Sequence, residues 1–146
     1  MRQVAYVDLT QRKVTIKPIP DDLLRLYLGG RGLAAYLLYN HTEKGIDPMS
    51  PENPLILSSG LLGGHFANAM GRCHVTGKSP DTGNYGDSNF GGAVAAEMMY
   101  AGFQHMVITG KADKPTYLLV KDGQVQFRDA SKLWGQDTYE TQLRLW

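Results

Sequence analysis

Val4-Ala-Tyr-Val-Asp-Leu-Thr10 and Lys13-Val-Thr-Ile-Lys-Pro-Ile19, with Thr10-Gln-Arg12 between them, alternate apolar and polar residues. An alternation of period two places one set of side chains on each face of a strand, so the two runs read as an antiparallel hairpin. A similar unit follows later in the chain. His105-Met-Val-Ile-Thr109 and Thr116-Tyr-Leu-Leu-Val120 precede Gln124-Val-Gln-Phe-Arg128, and Lys121-Asp-Gly-Gln124 supplies an Asp-Gly turn between the last two runs.

Helical signals lie between these β units. Asp21 and Asp22 precede Leu23, Leu24, Leu26 and Leu28, and after Gly29-Gly30 an apolar stripe runs from Leu33 to Tyr39. Aspartates at a helix start can accept orphan backbone N–H groups, so two helical pieces broken at the glycines are expected. Three prolines in Asp47-Pro-Met-Ser-Pro-Glu-Asn-Pro54 make that segment a loop, and Leu55-Ile-Leu-Ser-Ser59 reads as a buried strand. Nine glycines (60, 63, 64, 71, 77, 83, 86, 91 and 92) follow in the span 60–92, too dense for regular structure by their helix cost of about 1 kcal/mol each. An alanine-rich helix is expected to begin at Gly91-Gly92 and stop at Gly102. After Asp129 the tail reads as a turn and the start of a helix ending uncapped at Trp146, as in a truncated chain. The sum is an α+β domain over 1–146, two antiparallel or mixed β-sheet layers with a few short helices.

Composition narrows the function classes. The 146 residues are 42% hydrophobic and 20% charged, with a formal net charge of +1 and the basic residues dispersed. Such a chain buries about two thirds of its unfolded surface in one core and offers no phosphate-tracking stripe for nucleic acid. The longest nearly apolar stretch, Leu33 to Leu38, is far short of the ~20 residues a membrane span needs. A lone cysteine, Cys73, and an N-terminus without an apolar leader point to the cytoplasm.

Three motifs fail on physical grounds. Gly71 to Gly77-Lys78-Ser79 has five residues between its glycines where a P-loop has four, and Pro80 follows where a helix should grow. Gly30-Arg-Gly-Leu-Ala-Ala35 has the spacing of a dinucleotide fingerprint but follows a leucine-rich helical segment rather than a strand. His41, His65, His74 and His105 lack metal-ligand spacing, and adjacent Cys73 and His74 would face opposite sides of a strand. Cys73 itself reads as a small buried hydrophobe. The stretch from Asn68 to Gly92 survives. Bare backbone at Gly91-Gly92 ahead of a helix, with Arg72 and Lys78 as donors, forms a candidate seat for an anionic phosphate.

Several ordered blocks then resemble the N-terminal domain of the aldehyde ferredoxin oxidoreductase family. They are Leu28-Gly-Gly-Arg-Gly-Leu-Ala-Ala-Tyr-Leu-Leu38, Ser50-Pro-Glu-Asn-Pro-Leu-Ile-Leu-Ser-Ser-Gly60, Gly71-Arg72 with Thr76-Gly-Lys-Ser-Pro-Asp-Thr-Gly83, Asn89-Phe-Gly-Gly92 with Ala101-Gly-Phe103, and Asp129-Ala-Ser-Lys-Leu-Trp-Gly135. The resemblance implies a tungsten or molybdenum bis-pterin cofactor (tungstopterin or molybdopterin) beside a [4Fe–4S] cluster. It further implies oxidation of a small aldehyde to a carboxylic acid, with electrons passed to ferredoxin. By the same resemblance Arg72 lies between pterin and cluster, the Asn89 backbone carbonyl binds the magnesium that joins the two pterin phosphates, and Gly91 and Gly92 approach a phosphate. Phe90 stands where relatives often carry a small polar residue. Relatives continue for several hundred residues, and one cysteine cannot supply the four thiolates of a cluster. The cluster, the substrate pocket and much of the second pterin site are therefore expected from other domains or subunits. The competing expectation is a cofactor-free assembly module of the same fold.

Overall fold

The computed structural model describes residues 2–65 and 69–146. Asn68, at the head of the glycine-rich candidate stretch, lies outside them. A six-stranded sheet organises the chain. Its strands are β1 (Gln3–Asp8), β2 (Lys13–Pro18), β3 (Leu55–Ser59), β4 (Cys73–Lys78), β5 (Tyr85–Phe90) and β6 (His105–Thr109), in the order β2-β1-β6-β3-β4-β5. All neighbours are antiparallel except β1 and β6, which run parallel from Val4↔His105 to Asp8↔Thr109. β7 (Thr116–Lys121) and β8 (Gln124–Asp129) form a separate antiparallel hairpin. Positive φ at Asp122 (50°) and Gly123 (74°) gives its two-residue turn the twist that flanking strands require.

Both faces of the central strands are covered. Val4 on β1, Val107 on β6 and Ile56 on β3 pack with Leu33, Ala34, Leu37 and Leu38 of helix α2 (Gly30–His41). The intervening residues Ala5, Val7 and Met106 face the other way, where they meet Ala95 and Met98 of helix α3 (Val94–Tyr100), Phe103 and the β7–β8 hairpin. Period-two strands between two layers thus bury apolar side chains on both faces, and the second layer is the hairpin together with α3. Helix α1 (Asp21–Tyr27) precedes α2, and α4 (Thr138–Leu145) closes the chain with Asp137 accepting the Glu140 N–H at 2.8 Å. No helix among the described residues is long and apolar enough to cross a membrane.

Four local expectations are corrected. The glycine-rich span is not devoid of regular structure, because it contains β4 and β5; Gly77 and Gly86 pair across that ladder, so inter-strand hydrogen bonding overrides the glycines' entropic cost. The alanine-rich helix starts at Val94 with Ala93 as its cap residue, leaving Gly91 and Gly92 in the chain before it. Pro20, not an aspartate, caps α1, and Asp22 accepts only the N–H of its neighbour Leu23, at 2.9 Å. Lys78 stands at the opposite end of β4 from Arg72, about 20 Å along the strand at roughly 3.3 Å per residue. Its Nζ donates to the Ile46 carbonyl at 2.5 Å, so Lys78 does not join the candidate site.

Candidate functional site

Strand pairing brings the candidate residues together. Cys73 at the start of β4 faces Phe90 at the end of β5, so Arg72, one residue earlier, meets the chain where β5 runs into Gly91 and Gly92. The approach there is close: a β-carbon on Gly71 would lie 2.7 Å from the Gly92 carbonyl oxygen. Asn89, Gly91 and Gly92 are exposed and Phe90 is half-buried. A β-carbon at Gly91 or Gly92 would meet nothing within 4 Å, so open space stands over that backbone. Arg72 is also exposed, and it makes no ion pair with any described residue.

Arg72 also lines an open concavity of about 570 Å³, together with Leu28, Gly29, Gly60 and Leu62 among others. Its rim is strained. Leu28 adopts φ 62°, ψ −49°, and the Gly29 N–H donates to the Tyr27 carbonyl at 2.7 Å, which defines a γ-turn of the rare positive-φ kind. Backbone held in such a conformation costs on the order of 1–3 kcal/mol and concentrates at ligand sites. Leu28 remains 59% exposed at the rim. Sequence reasoning read Leu28 as part of a helical stripe and as the head of a resemblance block, not as a rim residue; a leucine directly before a glycine pair was the available signal.

The donor set suits a large anionic, partly flat group. A guanidinium can bridge two oxygens, side-chain-free amides admit a phosphate to the main chain, and the apolar wall accommodates a ring system. Because α3 has only seven residues and begins beyond the glycines, this fit rests on Arg72 and the open backbone, not on a helix dipole. Cys73 is remote in character: fully buried in the apolar layer, its thiol is pushed up by burial, as expected of an inert core cysteine.

A second, polar arrangement lies on the α2 face of the sheet. The pairings His105↔Ser58, Ser58↔His74 and His74↔Asn89 line up four polar residues across β6, β3, β4 and β5. His105 Nδ1 is 2.7 Å from Ser58 Oγ, and His74 Nδ1 is 3.2 Å from Asn89 Oδ1. Asp87, one position along the same face of β5, pairs with Arg31 of α2 at 2.6 Å. Sequence reasoning treated the histidines only as metal-ligand candidates and missed this row, which exists only through strand register.

Comparison with known proteins matches residues 4–146 to the family model "Aldehyde ferredoxin oxidoreductase, N-terminal domain". The tungsten-containing aldehyde ferredoxin oxidoreductases of Pyrococcus furiosus and Thermococcus kodakarensis are each 41% identical over 95% of this chain, which spans 23% of their length. The WOR-like subunit of aliphatic sulfonate oxidoreductase from Pyrococcus furiosus is 34% identical over 94% of the chain and 23% of its own length. Among solved structures, the active-site complex BamBC of benzoyl coenzyme A reductase with 1,5-dienoyl-CoA aligns with TM-score 0.94 and 36% identity, over 98% of this chain and 22% of the other. With the fold and the ordered sequence blocks in agreement, the chain belongs to the aldehyde ferredoxin oxidoreductase family, of which it forms the N-terminal domain.

Proposed function

We propose that this domain is the platform for a bis-pterin tungsten or molybdenum cofactor in an aldehyde:ferredoxin oxidoreductase. The observation that carries the reading is that strand pairing sets Arg72 beside the bare Gly91-Gly92 backbone, while Arg72 also lines an apolar concavity. The relatives' names differ in substrate, covering aldehydes, aliphatic sulfonates and benzoyl coenzyme A, while all share this domain. A shared domain beneath varied substrates is what a common cofactor platform requires, and substrate choice then belongs to other parts of the enzyme.

In this reading the pterin-bound metal supplies the two-electron chemistry that converts an aldehyde to a carboxylic acid. The chain's own residues bind and orient. Arg72 would hold the pterin with its guanidinium, between it and a [4Fe–4S] cluster that other domains or subunits would ligate. The Asn89 backbone carbonyl would hold the magnesium, Gly91 and Gly92 would let the main chain approach a phosphate, and Phe90 would contribute through its backbone. Concentrated phosphate charge needs such a cation and such donors to offset it. The remaining domains and ferredoxin are its partners, in the cytoplasm.

The test is elemental analysis of the protein carrying this chain, purified anaerobically. The reading expects tungsten or molybdenum, with magnesium, in the wild type and a large loss in Arg72→Ala. Absence of both heavy metals from wild type, or a cofactor content and aldehyde oxidation unchanged in Arg72→Ala, would instead support the cofactor-free assembly module.

A further inference from the structure

We infer that His74 is a positioning residue for this seat, holding the Asn89 end of β5 in place through a hydrogen bond from its ring to the Asn89 side chain; the inference rests on the cofactor-platform reading. The physical problem is at the sheet's edge. Among the described residues β5 is paired only with β4, and after Phe90 the chain passes through two glycines with no side chains to anchor it. On the α2 face of the sheet, Asn89 is the last β5 residue whose side chain can be tied down before that stretch.

His74 supplies the tie. It lies directly opposite Asn89 in the ladder and is 3% exposed, yet both ring nitrogens are engaged. Nδ1 is 3.2 Å from Asn89 Oδ1 and 3.9 Å from Asp87 Oδ2, and Nε2 is 3.0 Å from the Tyr85 hydroxyl. We assign the ring proton to Nδ1, which faces two oxygens, so that Nδ1–H donates to Asn89 Oδ1 and Nε2 accepts from the Tyr85 hydroxyl. One buried ring thus holds the first and fifth residues of β5 together, 85 and 89, on a single face.

The clamp is tied to the second layer as well. Asp87, between those two residues, binds Arg31 at 2.6 Å, and Arg31 lies in the first turn of α2 directly after the Gly29-Gly30 bend that borders the concavity. Behind His74 the row continues into the core through Ser58 and His105. A buried polar residue with this many partners is expensive to keep unless geometry at its end matters. The end here is the residue whose carbonyl is proposed to meet magnesium. Outer partners that orient a metal ligand characteristically change metal affinity by about 10- to 100-fold when lost.

Magnesium release on dialysis against EDTA, followed by elemental analysis of the cofactor-loaded protein, tests the inference, with thermal unfolding measured in parallel. Asn89→Ala keeps the backbone carbonyl, removes only the acceptor and lies at an exposed position, so it folds. It should lose magnesium roughly tenfold faster than wild type. His74→Leu should match it, and the double variant should be no faster than either single one, because both remove the same bond. His74→Asn, whose amide nitrogen falls near the Nδ1 position, should return release to within about twofold of wild type, whereas His74→Gln, reaching towards Tyr85, should not. A purely structural role predicts lowered unfolding midpoints with unchanged release. Wild-type release in Asn89→Ala, or additive losses in the double variant, overturns the inference while leaving the platform reading intact. Wild-type protein holding neither magnesium nor tungsten nor molybdenum overturns both together.

Discussion

Gly71 lies so close against Gly92 that a β-carbon on the first would stand 2.7 Å from the carbonyl oxygen of the second. Strand β4 therefore enters the sheet in contact with the backbone that follows β5, and the spacing between Arg72 and the glycine pair is set by two residues without side chains. Gly71→Ala should push this backbone outward and destabilise the domain by about 1–3 kcal/mol, the usual cost of overpacking. At Gly91, where an added β-carbon meets only open space, alanine should change stability by no more than about 0.5 kcal/mol. Denaturant unfolding of the two variants checks the contrast.

Arg72 carries the opposite signature. It is exposed and unpaired among the described residues, so Arg72→Ala should leave the unfolding midpoint within error while cofactor content falls. Arg72→Lys keeps the charge but loses the planar fork, and should recover only part of the bound tungsten or molybdenum. Metal content and thermal melts of the same preparations separate binding from stability.

Leu33 is 1% exposed where α2 meets Val4, Ile56 and Val107. Leu33→Ala should cost about 2–5 kcal/mol, the range for truncating a buried leucine. Chemical denaturation provides the measurement, and a cost below 1 kcal/mol would show that α2 is not packed as described.

His105 adds a pH dependence. Burial, with a smaller push from Arg2, holds its pKa down to about 3 from the ordinary 6.5. The unfolded chain therefore takes up this proton first as pH falls. The ring's contribution to stability is complete above pH 6.5, declines below it by at most about 1.4 kcal/mol per unit, and levels off near pH 3. His41, lowered by burial and then by Lys17, acts in the same sense. His105→Asn keeps a donor for Ser58 without the titration, so its unfolding free energy should fall less steeply than wild type between pH 6.5 and 5, as urea titrations at several pH values would show.

Much of the fold was legible because its signals are local. Alternation in Val4–Thr10 and Lys13–Ile19, the Asp122-Gly123 turn and the break at Gly29-Gly30 each act over a few residues, and each produced the element expected. The span 60–92 was misread for the converse reason. Glycine density measures entropic cost alone, whereas β4 and β5 are stabilised by hydrogen bonds to each other and β4 by those to β3, partners that composition does not reveal. The candidate seat was legible as a set of residues, Arg72 with Asn89 to Gly92, but its support was not. Lys78 looked equivalent to Arg72 until the strand carried it about 20 Å away, and Leu28 looked like any other helical leucine.

By itself, then, the sequence determined the hairpins, the helix breaks and the family resemblance, because propensity, turn chemistry and ordered motifs are properties of neighbouring residues. Tertiary structure alone decided that β6 inserts between β1 and β3, that Gly71 touches Gly92, and that His105, Ser58, His74 and Asn89 form one row across four strands. Those relationships depend on register, and register is settled only when both faces of the central sheet find their apolar partners.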